Sequence, residues 1–195
     1  MVKKFLLLWF LLVPSAWASF GRPINIEQLT VHSERIVVGT VLSNSEDYSG
    51  AKGIPAIVTR VKVEEMFKGS ASGEVSFRQA ARKGPRGKLE PLFYDLPRFT
   101  PGERVVVFLP AASDSGFASP FALGQGVFRF RNSAKGDGAV IANESGNRSL
   151  SKDLGNTRVL SRMRTMGLEG TGANPGALNL GQLRELVRTV QGVSP

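Results

Sequence analysis

The run Ile36-Val37-Val38-Gly39-Thr40-Val41-Leu42 constrains the fold more than any other stretch of the chain. It is rich in β-branched residues, which suit a pleated, packed surface. Ile36, Val38, Thr40 and Leu42 fall on one face of a strand, and Val37, Gly39 and Val41 on the other. Both faces are largely apolar, so the strand is expected to be covered on both sides. A glycine inside such a strand marks a bend, a bulge or the close approach of another backbone.

Further strands follow. Ile57, Thr59, Val61 and Val63 alternate with Val58, Arg60, Lys62 and Glu64, the period of a half-buried antiparallel strand. "EVSFRQA" places Val75, Phe77 and Gln79 on one face. "ERVVVFLP" is nearly all apolar and reads as a central or covered strand. "FALGQGVFRFRN" supplies a fifth, and "AKGDGAVIAN" reads as a hairpin turning at Gly136-Asp137-Gly138. Two segments read as long loops: 43–55, and "ARKGPRGKLEPLFYDLPRFTPGE". Five short strands with turn signals between them point to a mainly β fold, a small barrel or sandwich.

The order "RIVVGTV", "VTRVKVEEMFKG", "EVSFR", "PRFTPGERVVVFL", "LGQGVFRF" resembles the netrin and tissue-inhibitor-of-metalloproteinase type of OB-fold barrel, in the cysteine-free form of bacterial exported proteins. The matching block runs from Glu34 to Arg131. The resemblance implies a five-stranded OB-fold-like barrel, whose first strand bends at Gly39 to serve two sheets sharing one core. Inhibitors of this type present an N-terminal cysteine to a catalytic zinc. This chain has no cysteine, so that inhibitory mechanism does not carry over.

At the N-terminus, Lys3 and Lys4 precede an apolar run from Phe5 to Val13, then Pro14 and the small residues of Ala16-Trp17-Ala18. This is the pattern of a secretory signal peptide over residues 1–18, cleaved between Ala18 and Ser19. The mature protein is expected to be periplasmic or secreted, and no later segment is apolar enough to span a bilayer. Loss of Lys3 and Lys4 lowers the formal charge from +9 to +7, still clearly basic.

The barrel domain is expected over 19–145 and a flexible connection over 146–176. An amphipathic helix over 177–191 follows, with Asn179 as its N-cap. Leu180, Leu183, Leu186, Val187 and Val190 form its apolar stripe, which must pack on the barrel or on a partner.

Few residues suit catalysis. His32 is the one histidine and there is no cysteine, which disfavours a zinc centre, a cysteine nucleophile and a serine triad. Glu64 and Glu65 are adjacent, so their side chains leave a strand on opposite faces. Glu46 and Asp47 lack the alternating oxygen ligands of a calcium loop. The glycines of "GQG" and "GTGANPG" lack a phosphate-loop context, and the sequons at Asn143 and Asn147 read as chance matches. No enzyme activity, cofactor or metal is expected.

Binding chemistry is better represented. Arg78, Arg82, Lys83, Arg86 and Lys88 cluster as a candidate anion-binding loop, followed by Phe93 and Tyr94. The expected function is an exported, non-enzymatic interaction module. Its partner is an exported protein met through Phe93, Tyr94 and the helical residues Leu183, Leu186 and Val187. The alternative partner is an anionic envelope polymer or lipid held by the basic loop; a third reading, behind both, is a protease inhibitor on fold analogy alone.

Overall fold

A computed structural model describes residues 22–49, 53–71, 73–131, 136–168 and 178–192. The expected signal peptide and its Ala18–Ser19 junction lie outside these residues, as does "GTGANPG". The chain begins with α1 (Ile26–His32), capped by Asn25, whose side chain accepts from the Gln28 amide while Gln28 reaches back to the Asn25 amide. Eight strands follow: β1 (Arg35–Asp47), β2 (Ala56–Lys68), β3 (Glu74–Lys83), β4 (Leu89–Pro91), β5 (Arg104–Leu109), β6 (Val127–Phe130), β7 (Val140–Asn143) and β8 (Leu178–Asn179). Helix α2 (Thr157–Thr165) lies between β7 and β8, and α3 (Leu180–Gln191) follows β8. Among the described residues no helix is long and apolar enough to cross a membrane.

The strands form one antiparallel sheet in the order β4-β3-β2-β1-β5-β6-β7-β8, curled into a half-barrel. The fold is thus mainly β with a C-terminal helix, but the described residues form eight strands where the sequence suggested five. A second difference concerns the core. The sheet is continuous, and its two faces hold separate cores instead of two sheets sharing one. Ile36 and Val38 of β1 join Phe108, Phe128 and Ile141 beneath the three helices. Val37 and Val41 point the other way, into the hollow of the curl, with Val61, Phe77, Val105 and Val107. The alternating residues of one strand therefore feed both cores, as its doubly apolar character requires.

Bulges create the curl. Against β1, Glu64 and Phe67 of β2 have no partner, and Leu42 of β1 has none on β2. Each extra residue bends its strand and increases the local twist. Gly39 sits directly after the second irregularity, opposite Val63 on one side and Val105 on the other. A Cβ at that position would lie 2.2 Å from the Lys62 carbonyl oxygen and 2.7 Å from Val61 Cγ1. The glycine is there because β2 passes too close for any side chain.

Two stretches differ from the loops that composition suggests. Residues 43–47 continue β1, because they pair with Ala56–Arg60, although most of their side chains face water. The 81–103 segment contains a tight hairpin, with Lys83 opposite Leu89 and Ala81 opposite Pro91. Beyond it Leu96 and Phe99 turn inward, and Phe99 packs edge-on against Phe77 at 5.1 Å. The Ala118 amide donates to the Arg78 carbonyl, so the chain between β5 and β6 closes over the hollow.

The helical layer is ordered by caps and charge. Within 146–168, where the sequence reads as a flexible connection, Asn156 caps α2, and Val159 and Met163 are buried four residues apart. Glu27 of α1 accepts from the Gly155 and Asn156 amides, tying the start of α2 to α1. Asn143 and Asn147 are buried and each accepts from the other's backbone amide, so the sequon asparagines build the turn after β7. Asn179 caps α3 as expected, with Gln182 completing the capping box. Arg184 then grips β2: its guanidinium donates to both Glu65 oxygens at 2.6 and 2.7 Å and to Asp137 at 2.6 Å.

Gly39→Val should lower the unfolding free energy by the upper end of the ~1–3 kcal/mol range for overpacking, and Gly39→Ala by nearly as much, since the clash is with Cβ itself. Urea denaturation of the purified variants checks this; a midpoint equal to wild type for Gly39→Ala would refute the close approach.

Candidate functional site

Of the seven large apolar side chains exposed among the described residues, all but Val31 and Leu42 gather at one end of the sheet. Asp47 pairs with Ala56, and Ala56 with Ala80, so the end of β1, the start of β2 and the end of β3 lie side by side. The Ala81 amide donates to Pro55 and the Leu92 amide to Ala80, which brings the segments before β2 and after β4 to the same edge. Tyr48, Ile54, Leu92, Phe93 and Tyr94 are all exposed here, Phe93 at 60% and Tyr94 at 97%. Exposure of so much aromatic surface on neighbouring residues departs from the usual scattering of single apolar residues.

The β3–β4 hairpin carries the charge. Its tip turns through Gly84 to Lys88, where the Gly84 amide donates to Lys88 and Gly87 takes a positive φ of 77°. Arg82, Lys83, Arg86 and Lys88 are exposed, and none of them forms an ion pair among the described residues. Arg82 stands opposite Glu90, the one carboxylate in the hairpin ladder.

This hairpin is anchored. Glu46, near the end of β1, accepts from the Leu89 amide at 2.8 Å through one oxygen and from the Tyr48 hydroxyl at 2.8 Å through the other. The Leu89 amide, then the Tyr48 hydroxyl, hold its carboxyl below the ordinary carboxylate range; Lys88 adds its field in the same sense. The hydrogen bond to Glu46 in turn raises the Tyr48 phenol. Asp47 is lowered as well, by the hydroxyl and then the amide of Ser49, with Arg78 contributing. Every oxygen of the Glu46–Asp47 pair therefore has a partner within the chain, and the pair fastens loops.

Four of the expected binding positions take other roles. Arg78 is removed from the basic cluster: its Nη2 lies 2.8 Å from Asp47 Oδ2, a charge contact without hydrogen-bond alignment, and its guanidinium sits 5.8 Å from the Phe117 ring. Leu183, Leu186 and Val187 are fully buried against the sheet, so the helix stripe is core and offers nothing to a partner. Glu64 and Glu65 engage different cations, Arg104 and Arg184. His32 stacks against Phe121 with ring centroids 5.2 Å apart. Tyr48 and Ile54 belong to the exposed end although sequence reasoning passed over them; their signal was an aromatic and an aliphatic residue within a stretch otherwise polar.

Glu46 gives the hairpin a pH dependence. A depressed folded value means the anchor is fully present above the ordinary glutamate pKa of about 4.3 and is lost as pH falls through the lower folded value. The Leu89 amide resonance should therefore titrate with a midpoint below that of an exposed glutamate. A midpoint at the ordinary value would show that Glu46 does not hold the hairpin. No protein-family model matches the sequence, and neither does any curated protein, so the chemistry of this end rests on its own residues.

Proposed function

We propose that the protein is an exported, non-enzymatic binding module that meets an acidic partner protein through the hairpin end of its sheet. The observation that carries this reading is the exposure of Phe93 and Tyr94 beside four cations with no ion pair among the described residues. Aromatic side chains supply large contact area at little entropic cost, and interface anchors are enriched in them. Unpaired lysines and arginines at the rim steer an acidic surface toward them. The export of the chain rests on its N-terminal pattern. A non-enzymatic role is supported by the single histidine and the absence of cysteine.

The scaffold reading is part of the same proposal. We take β1, β2, β3, β5 and β6 as an OB-like half-barrel of the netrin and tissue-inhibitor type, extended by β7 and β8. Its support is that β1 is flanked by β2 and β5 and bends at bulges beside Gly39, as the first strand of such a barrel must. A second reading is favoured by the hairpin cations alone: an anionic envelope polymer or lipid bound through Arg82, Lys83, Arg86 and Lys88.

The two readings separate by variant. For a protein partner captured from periplasm or culture supernatant, F93A/Y94A should weaken binding by tenfold or more without lowering the melting temperature, since both side chains are exposed. K83E/R86E should slow association and reduce its salt dependence. A polyanion reverses the order: K83E/R86E abolishes binding, with a steep salt slope, and F93A/Y94A has little effect. Unchanged capture by F93A/Y94A would overturn the protein-binding reading.

A further inference from the structure

A second surface, remote in the fold from the hairpin, has a different chemistry. Helices α2 and α3 enclose an open groove of about 850 Å³. On α2, Thr157, Ser161 and Thr165 recur every fourth residue, as do Arg158 and Arg162, and all five line the groove. That spacing stacks hydroxyls and guanidiniums in two rows along one helix face. The α3 wall repeats the pattern with Arg184 and Arg188, and with Glu185 and Thr189.

Two of the four arginines are committed. Arg162 pairs with Glu185 of the facing helix, and Arg184 is held by Glu65 and Asp137. Arg158 and Arg188 are exposed and form no ion pair among the described residues. Arg158 also occupies the second position of α2, two residues after the Asn156 cap. A cation there opposes the positive end of the helix dipole, and its like-charged neighbour Arg162 lies four residues on, which is also unfavourable. An anion in the groove would reverse both penalties.

The size and lining narrow the ligand. The volume falls within the roughly 300–1,000 Å³ range of small-molecule sites, so a lone inorganic anion would leave most of it unfilled. No aromatic side chain is among the described lining residues, so a nucleobase finds no stacking platform. A row of hydroxyls beside guanidiniums suits a molecule that is itself hydroxylated and carries separated negative groups.

We propose that the α2–α3 groove binds a short anionic oligosaccharide. Arg158 and Arg188 take its carboxylate or sulfate groups, and the Ser161 and Thr165 side takes its ring hydroxyls. This site is independent of the partner surface at the hairpin end.

Titration calorimetry on the full-length protein tests it, with a heparin-derived tetrasaccharide as the sulfated probe, trigalacturonate as the carboxylated probe and maltotetraose as the neutral control. At least one charged probe should bind near physiological salt, and the neutral one should not. R158A/R188A should weaken binding by tenfold or more while circular dichroism and melting temperature hold. S161A should weaken it a few-fold, and K83E/R86E should leave it unchanged. Failure of both charged probes overturns the proposal, as does unchanged affinity in R158A/R188A or equal displacement by inorganic phosphate at matched concentration. Loss of binding in K83E/R86E alone would move the anion site to the hairpin and overturn it equally.

Discussion

The close passage of β2 over Gly39 sets the geometry on which the rest of the molecule depends. Two backbones meet where a single Cβ would lie 2.2 Å from a carbonyl oxygen. The contact is possible because β2 carries extra residues at Phe67, opposite the Ile36–Val37 step, and at Glu64, opposite the Val38–Gly39 step. The bulges turn the sheet into a half-barrel, and the curl divides the apolar residues of β1 between two cores. They also redirect side chains along β2. Val61 fills the hollow, while Phe67, near the end of the same strand, joins the core beneath the helices. A flat β2 would send both to one face.

The outer core then fixes the helices, and the helices fix charges. Burial of Leu183, Leu186 and Val187 contributes about 1.5–3 kcal/mol per side chain, which a helix of this length needs, since such helices are marginal alone. Once docked, α3 brings Arg184 onto Glu65. The bulged stretch of β2 thus supplies two neighbouring carboxylates to two different partners, Glu64 to Arg104 of the sheet and Glu65 to Arg184 of the helix. The hydrogen bonds it donates to Glu65, opposed by partial burial, raise the Arg184 guanidinium further above its already high value and keep it charged. The same docking places Arg188 and Thr189 on the groove wall facing α2.

Much of this was legible in the sequence where burial is repetitive. β1, β3 and β5 announce themselves by runs or alternation, and the cap and stripe of α3 are local signals that survive without tertiary context. The rest was hidden for identifiable reasons. Residues 43–47 are polar because both of their faces meet solvent or short side chains, so only their ladder with β2 makes them strand. Helix α2 buries just Val159 and Met163 in a segment otherwise polar, and its order comes from Asn156 and Glu27. The candidate site divided along the same line. Exposed positions such as Lys83, Arg86, Phe93 and Tyr94 followed from turn composition. Arg78 did not, because its partner Asp47 is distant in sequence and adjacent only across the β1–β2–β3 ladder. A stripe such as Leu183–Val187 looks the same whether its partner is this chain's own sheet or another protein.

The hairpin end also limits how a partner can be engaged. β4 is the outermost strand on that side, and an unprotected edge would invite a further strand to pair with it. It is only three residues long, and Pro91 has no amide hydrogen to offer. Addition of an extended peptide, which draws its affinity from backbone hydrogen bonds, is therefore blocked. Recognition must pass through side chains, and those projecting there are aromatic rings and cations. The anchor at Glu46 makes this a preorganised surface: with Leu89 held, the hairpin presents Lys83, Arg86 and Lys88 without first having to order its backbone, a cost that a free loop would pay on binding. The groove between α2 and α3 differs in kind. Its walls are helical, its cations are partly consumed by crosslinks, and it offers hydroxyls where the hairpin offers rings. One basic chain thus carries two cationic surfaces of different chemistry, exposed aromatic rings beside cations at the sheet edge and a hydroxyl-lined groove between α2 and α3.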